Sequence, residues 1–146
     1  MNVSFEECVQ LARRKKPEFS SIAHADIVAA TREFVTEERS KIRSLHASGA
    51  SGGDVVAKLT ALADTIVRGA LDIALYRVEN RRLVMQSISL CAQGGYGRAQ
   101  LNPFSDLDIG ILYEGSVNEP IRAIATFLSP FLFDVGYANS VVVRSV

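Results

Sequence analysis

From Ser20 to Leu45 the apolar residues Ile27, Val28, Phe34, Val35, Ile42 and Leu45 recur at helical spacing, and the polar stretch at 36–43 supplies the opposite face. The pattern predicts one long amphipathic helix. Small residues at 46–53 end it, and Asp54 is placed to cap or charge-complement the helix that follows. Val56, Leu59, Ala63, Ile66, Ala70 and Ile73 then alternate in steps of three and four, the seam of an antiparallel helical hairpin, so residues 22–78 read as helical. Asn80, Arg81 and Arg82 break the pattern. Residues 83–92 are rich in β-formers, with Ile88, Leu90 and Ala92 alternating against Ser87, Ser89 and Cys91, and read as a strand. A second strand is predicted at 106–113, where Leu107, Ile109 and Ile111 share one face and Asp106 and Asp108 the other. Asn118 caps a predicted helix at 121–134, bent at Pro130, and 139–145 reads as a third strand. The fold class is therefore α+β: a helical region at 1–83, then a small mixed sheet with flanking helices at 84–146.

Composition narrows the function classes. The chain has 146 residues, 48% hydrophobic and 22% charged, as in an ordinary globular protein. Lys+Arg and Asp+Glu both number 16, so no basic field exists to drive nucleic-acid binding by counterion release. Residues 1–90 hold 13 of the basic and 11 of the acidic residues, leaving 3 and 5 for 91–146. Cys8 and Cys91 lack the paired spacing of a zinc site and read as reduced thiols. The first sixteen residues carry early acids and no apolar signal core, and no uncharged apolar run reaches membrane-spanning length. A cytoplasmic protein that does not insert into membranes is expected.

The informative chemistry lies at 93–110, Gln-Gly-Gly-Tyr-Gly-Arg-Ala-Gln-Leu-Asn-Pro-Phe-Ser-Asp-Leu-Asp-Ile-Gly. Gly94 and Gly95 admit positive φ and the close approach of a triphosphate to backbone N–H groups. Asp106 and Asp108, two positions apart on a strand, project from one face and suit hard divalent cations that bridge nucleotide phosphates. This is the two-metal arrangement for nucleotidyl transfer. An Asp-x-Asp pair alone is commonly a turn or surface feature. Here it interrupts an apolar segment, where an unpaired carboxylate is costly to bury, and it follows a glycine turn.

On these residues the chain resembles the polymerase-beta-like nucleotidyltransferase superfamily, whose signature is an apolar strand, a Gly-Gly or Gly-Ser turn and an Asp-x-Asp pair about ten residues later; Gly95 to Asp106 spans eleven positions. More narrowly, residues 94–98, 102–108 and 133–145, with the helical lead-in at 48–64, are similar to the N-terminal region of bacterial PII uridylyltransferases. The resemblance covers roughly 40–146. It implies transfer of UMP from UTP to a PII-type nitrogen-signalling protein, with Mg2+ or Mn2+ as the metal. Carried over residue by residue, Gly94 and Gly95 hold phosphate, Asp106 and Asp108 ligate metal, Ser105 supports the triphosphate or the metal-site loop, and Arg98 pairs with phosphate.

Alternatives stand beside these assignments. Arg98 is equally suited to a structural salt bridge, and Ser105 to a local turn hydrogen bond. The superfamily uses a third carboxylate, and 139–145 contains none; Asp134 reads as a helix-end residue, so the nucleotidyltransferase domain is expected to be incomplete at its C-terminal side. An adenylyl-transferring relative and a noncatalytic nucleotide-binding module are the competing functions. His24 and His46 read as helix-end residues, the basic run at 13–16 as a solvated helix end, and Cys91 as a small buried residue. Apolar surface beside an incomplete sheet is expected to favour self-association.

Overall fold

The structure is a computed structural model that describes residues 3–146. Six helices and three strands follow one another as α1 (Phe5–Arg13), a 3-10 turn (Pro17–Ser21), α2 (His24–Ala47), α3 (Gly52–Tyr76), α4 (Arg81–Ser87), β1 (Ile88–Ala92), α5 (Gly94–Gly97), β2 (Leu107–Tyr113), α6 (Glu119–Asp134) and β3 (Asn139–Ser145). This is the α+β architecture that the periodicity predicts. The long helix starts at His24 rather than Ser20 because Pro17–Ser21 close into a 3-10 turn and Ile22 and Ala23 are then extended.

Local chemistry sets the helix boundaries. Ser51 and Asp54 form a reciprocal capping box at the start of α3: the Asp54 N–H donates to Ser51 Oγ at 3.1 Å, and the Ser51 N–H to Asp54 Oδ2 at 3.1 Å. The Ser51 hydroxyl, which donates to Asp54 Oδ2 at 2.7 Å, and then the Ser51 N–H hold the Asp54 carboxyl below its ordinary range. At α6, Asn118 Oδ1 accepts from the Ile121 N–H at 3.1 Å. Asn80 adopts φ 52, and its carbonyl accepts from Leu83 and Val84 N–H groups at 2.8 and 3.2 Å. Residues 81–87 are consequently helical, and the strand expected over 83–92 shortens to Ile88–Ala92. Val84 is buried while Leu83 and Met85 are exposed, so the β-forming composition gives way to a helical turn with one apolar anchor.

The sheet has the order β1-β2-β3, with β1 antiparallel and β3 parallel to β2. Leu107, Ile109 and Ile111 point from β2 into a core shared with Ile66, Ile73 and Leu75 of α3 and Ile124, Leu128 and Phe131 of α6. Each such side chain contributes about 1.5–3 kcal/mol on burial. Asp108 belongs to the opposite face, as alternation requires; Asp106 sits one residue ahead of β2 rather than within it. Cys91 is half-buried on the same face as Gly110 rather than lost in the core. Cys8 is fully buried in α1, and burial, followed by the charge of Glu7, pushes its thiol up to about 11, so it stays protonated at neutral pH. Both thiols are free.

Part of the basic run at 13–16 bonds to α3. Asp72 of α3 accepts from Arg13 and from Arg81, each at 2.8 Å, and Arg81 also donates to the Arg13 carbonyl at 2.9 Å. Lys15 donates to the carbonyls of Tyr76 and Val78 at 2.5 and 3.1 Å. The run stays exposed, as expected of a solvated helix end, while Arg13 and Lys15 also tie the end of α1 to Asp72 of α3 and to carbonyls at and just beyond the end of that helix. His24 sits edge-on to Phe127 at 6.0 Å, and His46 approaches the Ala50 carbonyl at 3.3 Å beyond the end of α2, both at helix ends. Among the described residues no helix is long and apolar enough to cross a membrane.

Candidate nucleotide site

The end of β1 and the start of β2 are joined by a hydrogen bond from the Gln93 N–H to the Asp108 carbonyl at 2.8 Å. That bond fixes the turn leaving β1 against the aspartate on β2. Gly94 follows with φ +56, a conformation that a side chain disfavours, and a Cβ built on it would lie 2.6 Å from Asp108 Oδ2. The Asp108 carboxylate therefore occupies the space that only glycine leaves open. Gly95 accepts from the Gln100 N–H at 2.9 Å, which folds the segment back on itself. Asp106 is exposed two positions before Asp108, and Ser140 of β3 lies beside Asp108 in the sheet register.

Helix α3 holds this loop from below. The Tyr96 hydroxyl donates to Asp64 Oδ1 at 2.8 Å, and the Leu101 N–H donates to Thr60 Oγ1 at 3.3 Å. Tyr96 is buried, and that burial, reinforced by the Asp64 carboxylate, raises its phenol so that the hydroxyl remains a donor at any physiological pH. Asp64 and Thr60 carry no signal in the helical pattern, since a polar residue on an amphipathic helix is ordinary. The tyrosine within the Gly-Gly-Tyr-Gly-Arg run was the one sequence pointer to this anchor. Tyr96→Phe is expected to lower stability by about 1.5 kcal/mol, the scale of a hydrogen bond to a charged partner, read as a lower urea midpoint at unchanged slope.

The remaining candidates separate. Ser105 Oγ accepts from the Asn102 N–H at 3.2 Å while the Ser105 N–H donates to the Asn102 carbonyl at 3.1 Å, so this serine closes the turn that delivers Asp106. Arg98 is exposed at the end of α5 and has no ion pair among the described residues, so the salt bridge weighed for it has no partner. Asp134 is exposed at the end of α6, where its carbonyl accepts from Arg32 Nε at 3.0 Å and from Nη2. Its structural helix-end reading agrees with that placement.

Among the described residues no group of three or more His, Cys, Asp or Glu side chains is arranged to hold a metal ion. Of the two candidate carboxylates, Asp108 lies against the turn, and Asp106 is exposed one residue ahead of β2. Two carboxylates this close in sequence suit a hard cation such as magnesium, which keeps waters and takes its other ligands from phosphate oxygens, and do not form a closed protein cage.

In this α+β frame a glycine turn is set against a strand aspartate. A family model described as glutamate-ammonia ligase adenylyltransferase matches residues 5–125, and the chain belongs to that family. The match takes in α1 through β2 and therefore both the turn and the aspartate pair. Curated relatives named bifunctional uridylyltransferase/uridylyl-removing enzyme are similar over most of the chain. The one from Azospirillum brasilense is 28% identical over 122 residues, 82% of this chain and 13% of that protein. That from Gluconobacter oxydans (strain 621H) is 33% identical over 96 residues, 66% of this chain and 10% of the relative. A third, from Acinetobacter baumannii (strain AYE), is 29% identical over 126 residues, 85% of this chain and 13% of the relative. The chain thus spans only a small part of the length of these proteins. No solved structure gives a significant match.

Proposed function

We propose that the chain carries the nucleotide- and metal-binding part of a nucleotidyltransferase that moves UMP from UTP to a PII-type nitrogen-signalling protein in the cytoplasm. Residues 1–83 serve as the helical support and 84–146 as the nucleotidyltransferase unit. The observation that carries this reading is the Asp108 carboxylate lying against the positive-φ Gly94. The uridylyl preference is supported by the names of the relatives.

In this reading Gly94 and Gly95 admit the triphosphate, and Asp106 and Asp108 hold Mg2+ or Mn2+. Arg98, whose side chain has no ion pair among the described residues, pairs with phosphate, and Ser105 keeps the Asp106 loop in shape. The bound cation supplies charge neutralisation at the phosphate oxygens and favours loss of the acceptor proton. In the transfer, an acceptor hydroxyl oxygen bonds to the α-phosphorus while the bridging α–β P–O bond breaks. Pyrophosphate departs and the hydroxyl proton passes to solvent. The turn and the two aspartates contribute position and charge, which is where most catalysis of phosphoryl transfer resides.

Calorimetric titration of magnesium-UTP and magnesium-ATP into the protein tests the reading. UTP is expected to bind more tightly than ATP, and Asp106→Asn and Asp108→Asn each to weaken binding at least about tenfold by removing one charged ligand. Unchanged affinity in both variants refutes the site, whereas tighter binding of ATP replaces the uridylyl assignment with an adenylyl one.

A further inference from the structure

Gln93 is a polar residue of the site that the glycine turn and aspartate pair leave without a role. It follows β1 directly, and its side chain folds back across β2, with Nε2 only 2.7 Å from the place a Cβ on Gly110 would occupy. Gly110 stands two positions after Asp108, so both belong to the same face of the strand. The lack of a side chain at Gly110 is what lets the carboxamide lie flat there. Two bare backbone positions therefore seat two polar groups side by side, the Asp108 carboxylate over Gly94 and the Gln93 carboxamide over Gly110. Gln93 is exposed, and the side-chain hydrogen bonds of this region among the described residues, those of Ser87, Tyr96, Thr60 and Ser105, do not involve its carboxamide.

A carboxamide in this position presents two N–H donors without adding charge. Next to a carboxylate that draws in a cation, a neutral donor can hold a phosphate oxygen without competing for the metal. We infer that Gln93 contacts the substrate, donating from its side-chain NH2 to a non-reacting phosphate oxygen of the metal-bound triphosphate. The inference rests on the nucleotidyltransferase reading above and adds a second phosphate-contacting side chain to Arg98. Gly110 then acts as a positioning residue through Gln93.

The test is calorimetric titration of magnesium-UTP, with Mg2+ alone titrated in parallel, into the wild type, Gln93→Ala, Gln93→Glu, Gly110→Ala and the Gln93→Ala/Gly110→Ala double variant. Gln93→Ala is expected to weaken magnesium-UTP about tenfold, the scale of one hydrogen bond to a charged acceptor. Gln93→Glu is expected to weaken it further, because an acceptor with a negative charge then faces the phosphates. Gly110→Ala, whose new methyl displaces only the flexible end of Gln93, is expected to match Gln93→Ala and to add nothing in the double variant. Wild-type affinity in Gln93→Ala overturns the inference, as does a Gln93→Glu variant that binds Mg2+ or magnesium-UTP more tightly, which would make position 93 a metal ligand. Asp108→Asn separates the two proposals: if it loses binding while Gln93→Ala does not, only the role of Gln93 falls. If neither variant loses affinity, the nucleotide site itself falls.

Discussion

Gly94→Ala is expected to weaken magnesium-UTP binding about a hundredfold, close to 2.7 kcal/mol, while lowering stability by only about 1–2 kcal/mol, the cost of a left-handed conformation for a residue with a side chain. The new methyl would sit 2.6 Å from Asp108 Oδ2, a distance that no packed pair of atoms tolerates, so the carboxylate must swing away from the turn. The same methyl obstructs the approach of phosphate to the backbone. Two losses coincide, which is why the effect exceeds that of neutralising Asp108. Titration calorimetry gives the affinity and urea unfolding the stability. An affinity equal to the wild type at full foldedness would remove Gly94 from the site.

Gly69→Val is the change expected to damage the fold most among those considered. Gly69 lies on α3 under α1, and a Cβ there would meet Phe5 Cζ at 2.5 Å and Val9 Cγ2 at 2.8 Å. Phe5 is only 2% exposed and cannot rotate out of the way without opening the core. A helix interior ordinarily favours alanine over glycine by about 1 kcal/mol, yet here the overpacking opposes that gain. Valine, with two further methyl groups, is expected to cost about 3 kcal/mol. Urea unfolding followed by circular dichroism would show the loss as a lower midpoint, and a midpoint unchanged or raised would mean that α1 does not pack on Gly69.

Periodicity made most elements legible because their faces differ sharply in polarity. The 3.6-residue stripe of α3 and the alternation of Leu107, Ile109 and Ile111 are both consequences of one-sided burial, and both appear in the structure. Residues 83–87 misled for a physical reason: Leu83, Val84 and Met85 suit a strand by composition, but the left-handed Asn80 launches a helical turn that buries Val84 alone. Asp106 and Asp108 stood out because charge within an apolar run demands an explanation. The partners of the loop did not. Tyr96 and Asp64 are 32 positions apart, and only the folded packing of α3 beneath the turn joins them. Gln93 was equally silent, since its place depends on an absent side chain at Gly110 on another strand.

Helix α3 grips the polypeptide both before and after β1. Upstream, Asp72 holds Arg81 at the head of α4; downstream, Asp64 and Thr60 hold Tyr96 and Leu101. One rigid rod therefore gauges the length of everything from residue 81 to residue 101, and the turn cannot drift relative to that rod without breaking a bond at one end. Under the proposed function, nucleotide affinity is in consequence expected to depend on the seating of a helix whose own side chains need never touch the nucleotide, so that sequence change along its buried stripe would be felt in binding as well as in folding.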